Sequence, residues 1–165
     1  MANLTGTFYE GDAIHGYGTE LQVGDAGSPE TFESIADVIS ITPGDMTTAV
    51  IEKTHLRSPE AHREKLAGLR DSGPFTVVCN YRPDHESHSN AGGGSGSFTG
   101  GGLFAIWRSR EERNYKIVIN DASPSNEFPF TGIITRCQLG EIGPDNKIEL
   151  TVEFTPISDF SADLP

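Results

Sequence analysis

The chain has 165 residues, 35% of them hydrophobic and 22% charged, enough to bury the core of one domain without disulfides or a metal. Its 19 Gly and 10 Pro imply many turns, which favours an all-β architecture over a helical one. A net charge of -12 argues against gripping nucleic acid, because phosphate binding needs clustered Lys and Arg. It is compatible with lining a passage through which nucleic acid slides, since like charges repel.

Residues 1–18 show no clear period and are expected to form an extended N-terminal arm. Met1-Ala2-Asn3-Leu4 lacks the charged and apolar regions of a signal peptide. No apolar run reaches the roughly 20 residues that a membrane span needs. The reading is a soluble protein made in the cytoplasm.

Thr19–Val23 is predicted as a strand, followed by a loop at Gly24–Pro29. Thr31–Ile41 mixes helical and alternating spacings, but its β-branched content favours a strand with a bulge. Thr42–Met46 is turn-rich, and Thr47–Thr54 is a further strand. Ser58-Pro59-Glu60 combines a cap residue, a first-position Pro and an acid in the first turn, so a short helix is expected with Leu66 and Leu69 on its buried face. Gly68 and Asp71–Pro74 would end it.

Phe75, Val77, Cys79 and Tyr81 alternate with Thr76, Val78 and Asn80, a strand with one apolar face. Periodicity is lost over 82–102, and residues 90–102 are read as a flexible Gly/Ser-rich loop that projects outward or into a gap between stacked copies. Leu103–Arg110 has room for one or two helical turns anchored by Leu103, Ile106 and an inward-pointing Trp107. Tyr115, Ile117 and Ile119 then alternate in another strand. Phe130–Leu139 is expected to place Ile133, Thr135, Cys137 and Leu139 on one face. Lys147–Phe154 alternates strictly, with Ile148, Leu150, Val152 and Phe154 against Lys147, Glu149, Thr151 and Glu153. Residues 157–165 form a polar tail, and the whole of 1–165 reads as a single domain.

Chemistry-bearing constellations are weak. Cys79 and Cys137 lie in apolar strands, where free buried thiols are expected. His85 and His88, near Asp84 and Glu86, lack metal-site spacing and are read as a solvated loop. The Gly tract has no Gly-Lys-Ser/Thr ending, which excludes a phosphate loop. Arg108, Arg110, Arg113 and Lys116 are interleaved with Glu111 and Glu112, which suits a solvated or intersubunit salt-bridge face. No catalytic residue, metal site or cofactor is expected.

Four stretches carry a resemblance to a known family: Val23–Phe32 with the Ile35–Ile41 strand; Thr47–Leu56 leading to Leu66–Gly73; Phe75–Pro83; and Arg113–Ile119 with Phe130–Thr135 and Ile148–Thr155. In order and spacing they resemble the tail tube proteins of long flexible-tailed bacteriophages of the lambda type. The Gly/Ser tract departs from the family pattern. The resemblance implies a mainly β fold, a β-sandwich or partly open barrel flanked by a short α-helix, related to type VI secretion tube proteins. It further implies a virion structural protein made in the host cytoplasm. Hexameric rings would stack into a tail tube around the tape-measure protein, bounded by a tail terminator and distal tail or baseplate proteins. Genomic DNA would pass through the lumen without specific binding, and no membrane is involved.

On that reading Glu149, Glu153 and Lys147 are candidates for the lumen wall, against the alternative of an ordinary solvated face. Leu4, Phe8, Tyr9, Pro43, Gly44, Asp45, Met46, Ile157 and Phe160 are candidates for inter-ring or intersubunit contacts. A small β-sandwich binding module that recognises a carbohydrate or another virion protein is the competing interpretation, and it would require an exposed aromatic platform.

Overall fold

Alternation at period two builds almost every element of the fold. The computed structural model describes residues 16–57, 60, 62–89, 94–119 and 126–157. Among these, β1 (Glu20–Gly24), β2 (Phe32–Ser34), β3 (Val38–Thr42), β6 (Phe75–Asn80), β7 (Arg113–Ile119), β8 (Asn126–Leu139) and β9 (Glu149–Pro156) form one antiparallel sheet. Its order is β2-β1-β7-β8-β9-β6-β3. Two further strands, β4 (Met46–Glu52) and β5 (Lys65–Ser72), pair only with each other. The single α-helix among the described residues, α1 (Leu103–Ser109), packs on β8.

The sheet curls around its apolar side without closing. Phe75, Val77 and Cys79 on β6 face Phe154, Val152 and Leu150 on β9 across the strand pair, and all six are buried. An aromatic cluster runs across the centre of the sheet. Phe75 stacks on Phe130 with centroids 4.6 Å apart, Tyr115 lies 5.3 Å from Phe130, and Tyr115 meets Phe154 edge-on at 4.9 Å. Such pairs add specificity to the area they bury. The end strand β3 flanks an open apolar groove, lined by Val38, Ile39 and Ile41 of β3 and by Ile117, Ile119 and Phe128 of the β7–β8 hairpin.

Several expectations are corrected. Leu66 and Leu69, expected on the buried face of a helix starting at Ser58, lie on β5, which pairs with β4 from Met46 opposite Ser72 to Glu52 opposite Lys65; Ser58 and Pro59 lie outside the described residues. A start signal at 58–60 and two leucines could not outweigh a whole strand of cross-strand hydrogen bonds. The Thr31–Ile41 strand is two strands, β2 and β3, separated by Asp37 in the left-handed region (φ 52°). The expected irregularity is real: β3 has a bulge against β6 between Val38 and Ser40.

On β8 the buried residues are Phe130, Gly132 and Ile134, so Ile133 and Thr135 face away from the core. A bulge between Ile134 and Arg136 then reverses the phase, which turns Cys137 toward the core. Trp107 is 43% exposed, so Leu103 and Ile106 anchor α1 without it.

The described part of the Gly/Ser stretch packs inward. Residues Gly96–Phe98 form a 3-10 turn that buries Ser97 and Phe98. The Ser97 hydroxyl donates to the Val23 carbonyl at 2.6 Å, and its N–H donates to the Glu33 carboxylate at 3.0 Å. Gly102 is required by close approach, because a Cβ there would collide with the Ser87 carbonyl.

The core and the ribbon predict opposite sensitivities. Phe154→Ala, at a site with 0% exposure, should lower unfolding free energy by about 3–5 kcal/mol. Leu69→Ser on β5, at 86% exposure, should change it by about 0.5 kcal/mol or less. Urea denaturation of both variants measures the contrast.

Candidate assembly surfaces

The β4–β5 ribbon exposes an unusual amount of apolar surface. Val50 is 65% exposed, Ile51 54%, Leu66 50% and Leu69 86%. Ile51 sits opposite Leu66 on one face, and Val50 sits opposite Ala67 on the other. Both faces of the ribbon are therefore apolar. A two-stranded ribbon is marginal in water on its own, and an apolar patch of this kind marks a contact surface.

The root of the ribbon is tightly built. The Gly73 N–H donates to the Asp45 carbonyl at 2.8 Å. A Cβ on Gly44 would strike the Gly73 carbonyl, so only glycine lets the two strands leave the sheet side by side. Pro43, Gly44, Asp45 and Met46 thus lie where the ribbon leaves the sheet, and Met46 is 52% exposed. The sequence reading named this loop but missed the ribbon beyond it. The expected Thr47–Thr54 strand is β4, but Leu66 and Leu69 of its partner β5 were assigned to a helix.

The outer face of the sheet is polar. Leu150, Val152 and Phe154 are fully buried while Glu149, Thr151 and Glu153 point the other way. Glu153 lies opposite Thr76 on β6 and Arg136 on β8; Glu149 lies opposite Asn80. Lys147 falls in the turn before β9 and pairs with Glu149 at 3.0 Å. Lys116 pairs with Glu127 at 3.3 Å. Ile157 is 50% exposed, and its N–H donates to the Thr131 carbonyl at 2.9 Å. Leu4, Phe8, Tyr9 and Phe160 lie outside the described residues.

The 81–89 segment is not the solvated loop expected. Ser87 and His88 are fully buried. His88 Nδ1 accepts the Arg82 N–H at 3.0 Å, and Ser87 Oγ accepts the Ala36 N–H at 3.2 Å. His85 Nδ1 lies 2.9 Å from Ser87 Oγ. Among the described residues His88 Nε2 meets no hydrogen-bond partner, and no three ligating side chains converge on a metal position. Both cysteines are free. Burial pushes each thiol up to about 12, the opposite of the depressed value that a nucleophile needs.

Residues 16–92 match the family described as lambda phage tail tube protein. Among solved structures, the tail of an empty gene transfer agent particle with C6 symmetry aligns at 16% identity and a TM-score of 0.62, covering 88% of this chain and 96% of that one. The virion of a native gene transfer agent aligns at 15% identity and a TM-score of 0.62, covering 88% and 95%. The SPP1 tail tube aligns at 10% identity and a TM-score of 0.57, covering 88% and 77%. At these identities the likeness establishes a shared fold. No curated protein sequence matches the chain.

Burial holds His88 below its ordinary value of 6.5, so the folded chain resists a proton that the unfolded chain accepts. Stability is therefore complete above pH 6.5 and falls as pH drops below it. His88→Asn keeps an acceptor for the Arg82 N–H and should flatten this acid-side loss. Thermal melts between about pH 7.5 and 5, on either side of the ordinary histidine value, measure the difference.

Proposed function

We propose that this chain is a lambda-type tail tube protein, a structural subunit that builds the tail tube of a phage or phage-like virion, a reading its partial family match and its fold support. The observation that carries this reading is the β4–β5 ribbon, hydrogen-bonded within itself, with exposed apolar side chains on both faces among the described residues. Six copies form a ring in which the short terminal strands β2 and β3 meet neighbouring subunits. Unpaired strand edges invite such completion, and the C6 symmetry of a gene transfer agent tail with the same fold supports the count.

Rings then stack through the ribbon and through the Pro43–Met46 loop at its root. The outer face of β9 supplies Glu149 and Glu153 to the lumen, with Lys147 at its rim. An acidic wall repels DNA phosphates and lets the genome pass without adhesion. Leu4, Phe8, Tyr9, Ile157 and Phe160 are further contact candidates between subunits. The tape-measure protein occupies the lumen before DNA does, and the terminator and distal tail proteins meet the two ends of the tube. The subunit is made in the host cytoplasm and functions in the virion, with a mechanical rather than a catalytic role.

Negative-stain electron microscopy of concentrated protein tests this directly, with six-fold rings and tubes as the expected result. Replacing residues 46–72 by a two-residue linker between Asp45 and Gly73, already hydrogen-bonded at 2.8 Å, should leave the melting temperature within a few degrees and abolish tubes. A wild-type chain that stays monomeric at every concentration overturns the proposal.

A further inference from the structure

Strand register places two unlike surfaces at opposite ends of the sheet. Thr42, the last residue of β3, pairs with Thr76, next to Phe75 opposite Phe154, so the ribbon leaves from that end. Leu139 pairs with Leu150, and Asn80 with Glu149, at the other end, where the β8–β9 turn closes. That turn exposes Ile142 at 71% and Leu139 at 38%, flanked by Glu141 and Asp145.

The charges at the two ends are complementary. Near the turn, Arg82 is held by Asp37 and Asp84, and Lys147 by Glu149. Glu141 and Asp145 have no cation against them among the described residues. On the ribbon, Lys53 and His55 share Glu64 and Lys65 lies across the strand pair from Glu52, whereas Arg57 and Arg63 have no acid against them among the described residues. The segment from 46 to 72 carries five cations against four acids, on a chain whose net charge is -12.

We propose that the ribbon of one copy docks on the β8–β9 turn of a second copy. The apolar ribbon side chains meet Leu139 and Ile142, and Arg57, Arg63 and Lys65 are set against Glu141 and Asp145. The inference rests on the tube reading and names the surface that receives the ribbon. Because donor and acceptor surfaces lie at opposite ends of one subunit, the contact is head-to-tail and propagates along an axis without closing. Ionic contacts at a partly exposed rim set register and partner choice more than raw affinity, and salt weakens them.

Charge reversal separates this contact from general tube formation. Glu141→Lys with Asp145→Lys should raise the protein concentration needed for tubes by on the order of tenfold at low salt and leave the melting temperature unchanged. Combining that variant with Arg63→Glu and Lys65→Glu should restore most of the loss, which no purely structural defect would allow. Electron microscopy and sedimentation at about 50 and 500 mM salt, on either side of strong screening, give the readout. Wild-type tubes with no response to the acidic reversals, or reversals without rescue, overturn the docking while leaving the tube reading intact. A wild type that forms no ordered assembly overturns both.

Discussion

Apolar surface on both faces of a two-stranded ribbon has no stable place in water. Val50 and Ala67 on one side, and Ile51 and Leu66 on the other, are hydrogen-bonded into strands by their backbones and left exposed among the described residues. Each exposed branched side chain forgoes about 1.5–3 kcal/mol that burial would supply. The subunit can carry this cost only because its own sheet is independently stable. The ribbon is held to that sheet through a narrow neck, where Gly44 and Gly73 touch backbone to backbone.

The independent stability has a visible source. Phe75, Tyr115, Phe130 and Phe154 come from four adjacent strands and form one continuous aromatic cluster. Around them the 3-10 turn at 96–98 and the buried Ser87-His88 pair close the rim of the core. The hydroxyl of Ser97 and the imidazole of His88 satisfy backbone groups that strand pairing leaves over, as buried polar groups must. The aromatic core is thus built within one chain. Among the described residues the buried Asn80 Oδ1, His88 Nε2 and Tyr115 hydroxyl still lack a partner, while the apolar surface left exposed lies on the ribbon and at the β8–β9 turn. That division between a built core and exposed apolar surface suits the assembly proposed above.

Local pattern in the sequence determined the strands whose two faces meet different environments. The alternation of Phe75, Val77 and Cys79, and of Leu150, Val152 and Phe154, locates β6 and β9 and their buried faces, because a half-buried strand must obey period two. It also places Glu149 and Glu153 on the outer face, and Leu103 and Ile106 on the buried side of a short helix. Tertiary structure alone decided the rest. Lys65–Ser72 reads as a helix end in isolation and becomes β5 only because β4 supplies its hydrogen bonds. The phase of β8 depends on a bulge against β9, which no single strand announces. His88 and Ser97 look solvated in a polar, glycine-rich stretch; long-range contacts bury them. The ribbon's exposure was invisible for the same reason, since hydrophobicity says that a side chain wants cover, and only the fold says whether its own chain provides it.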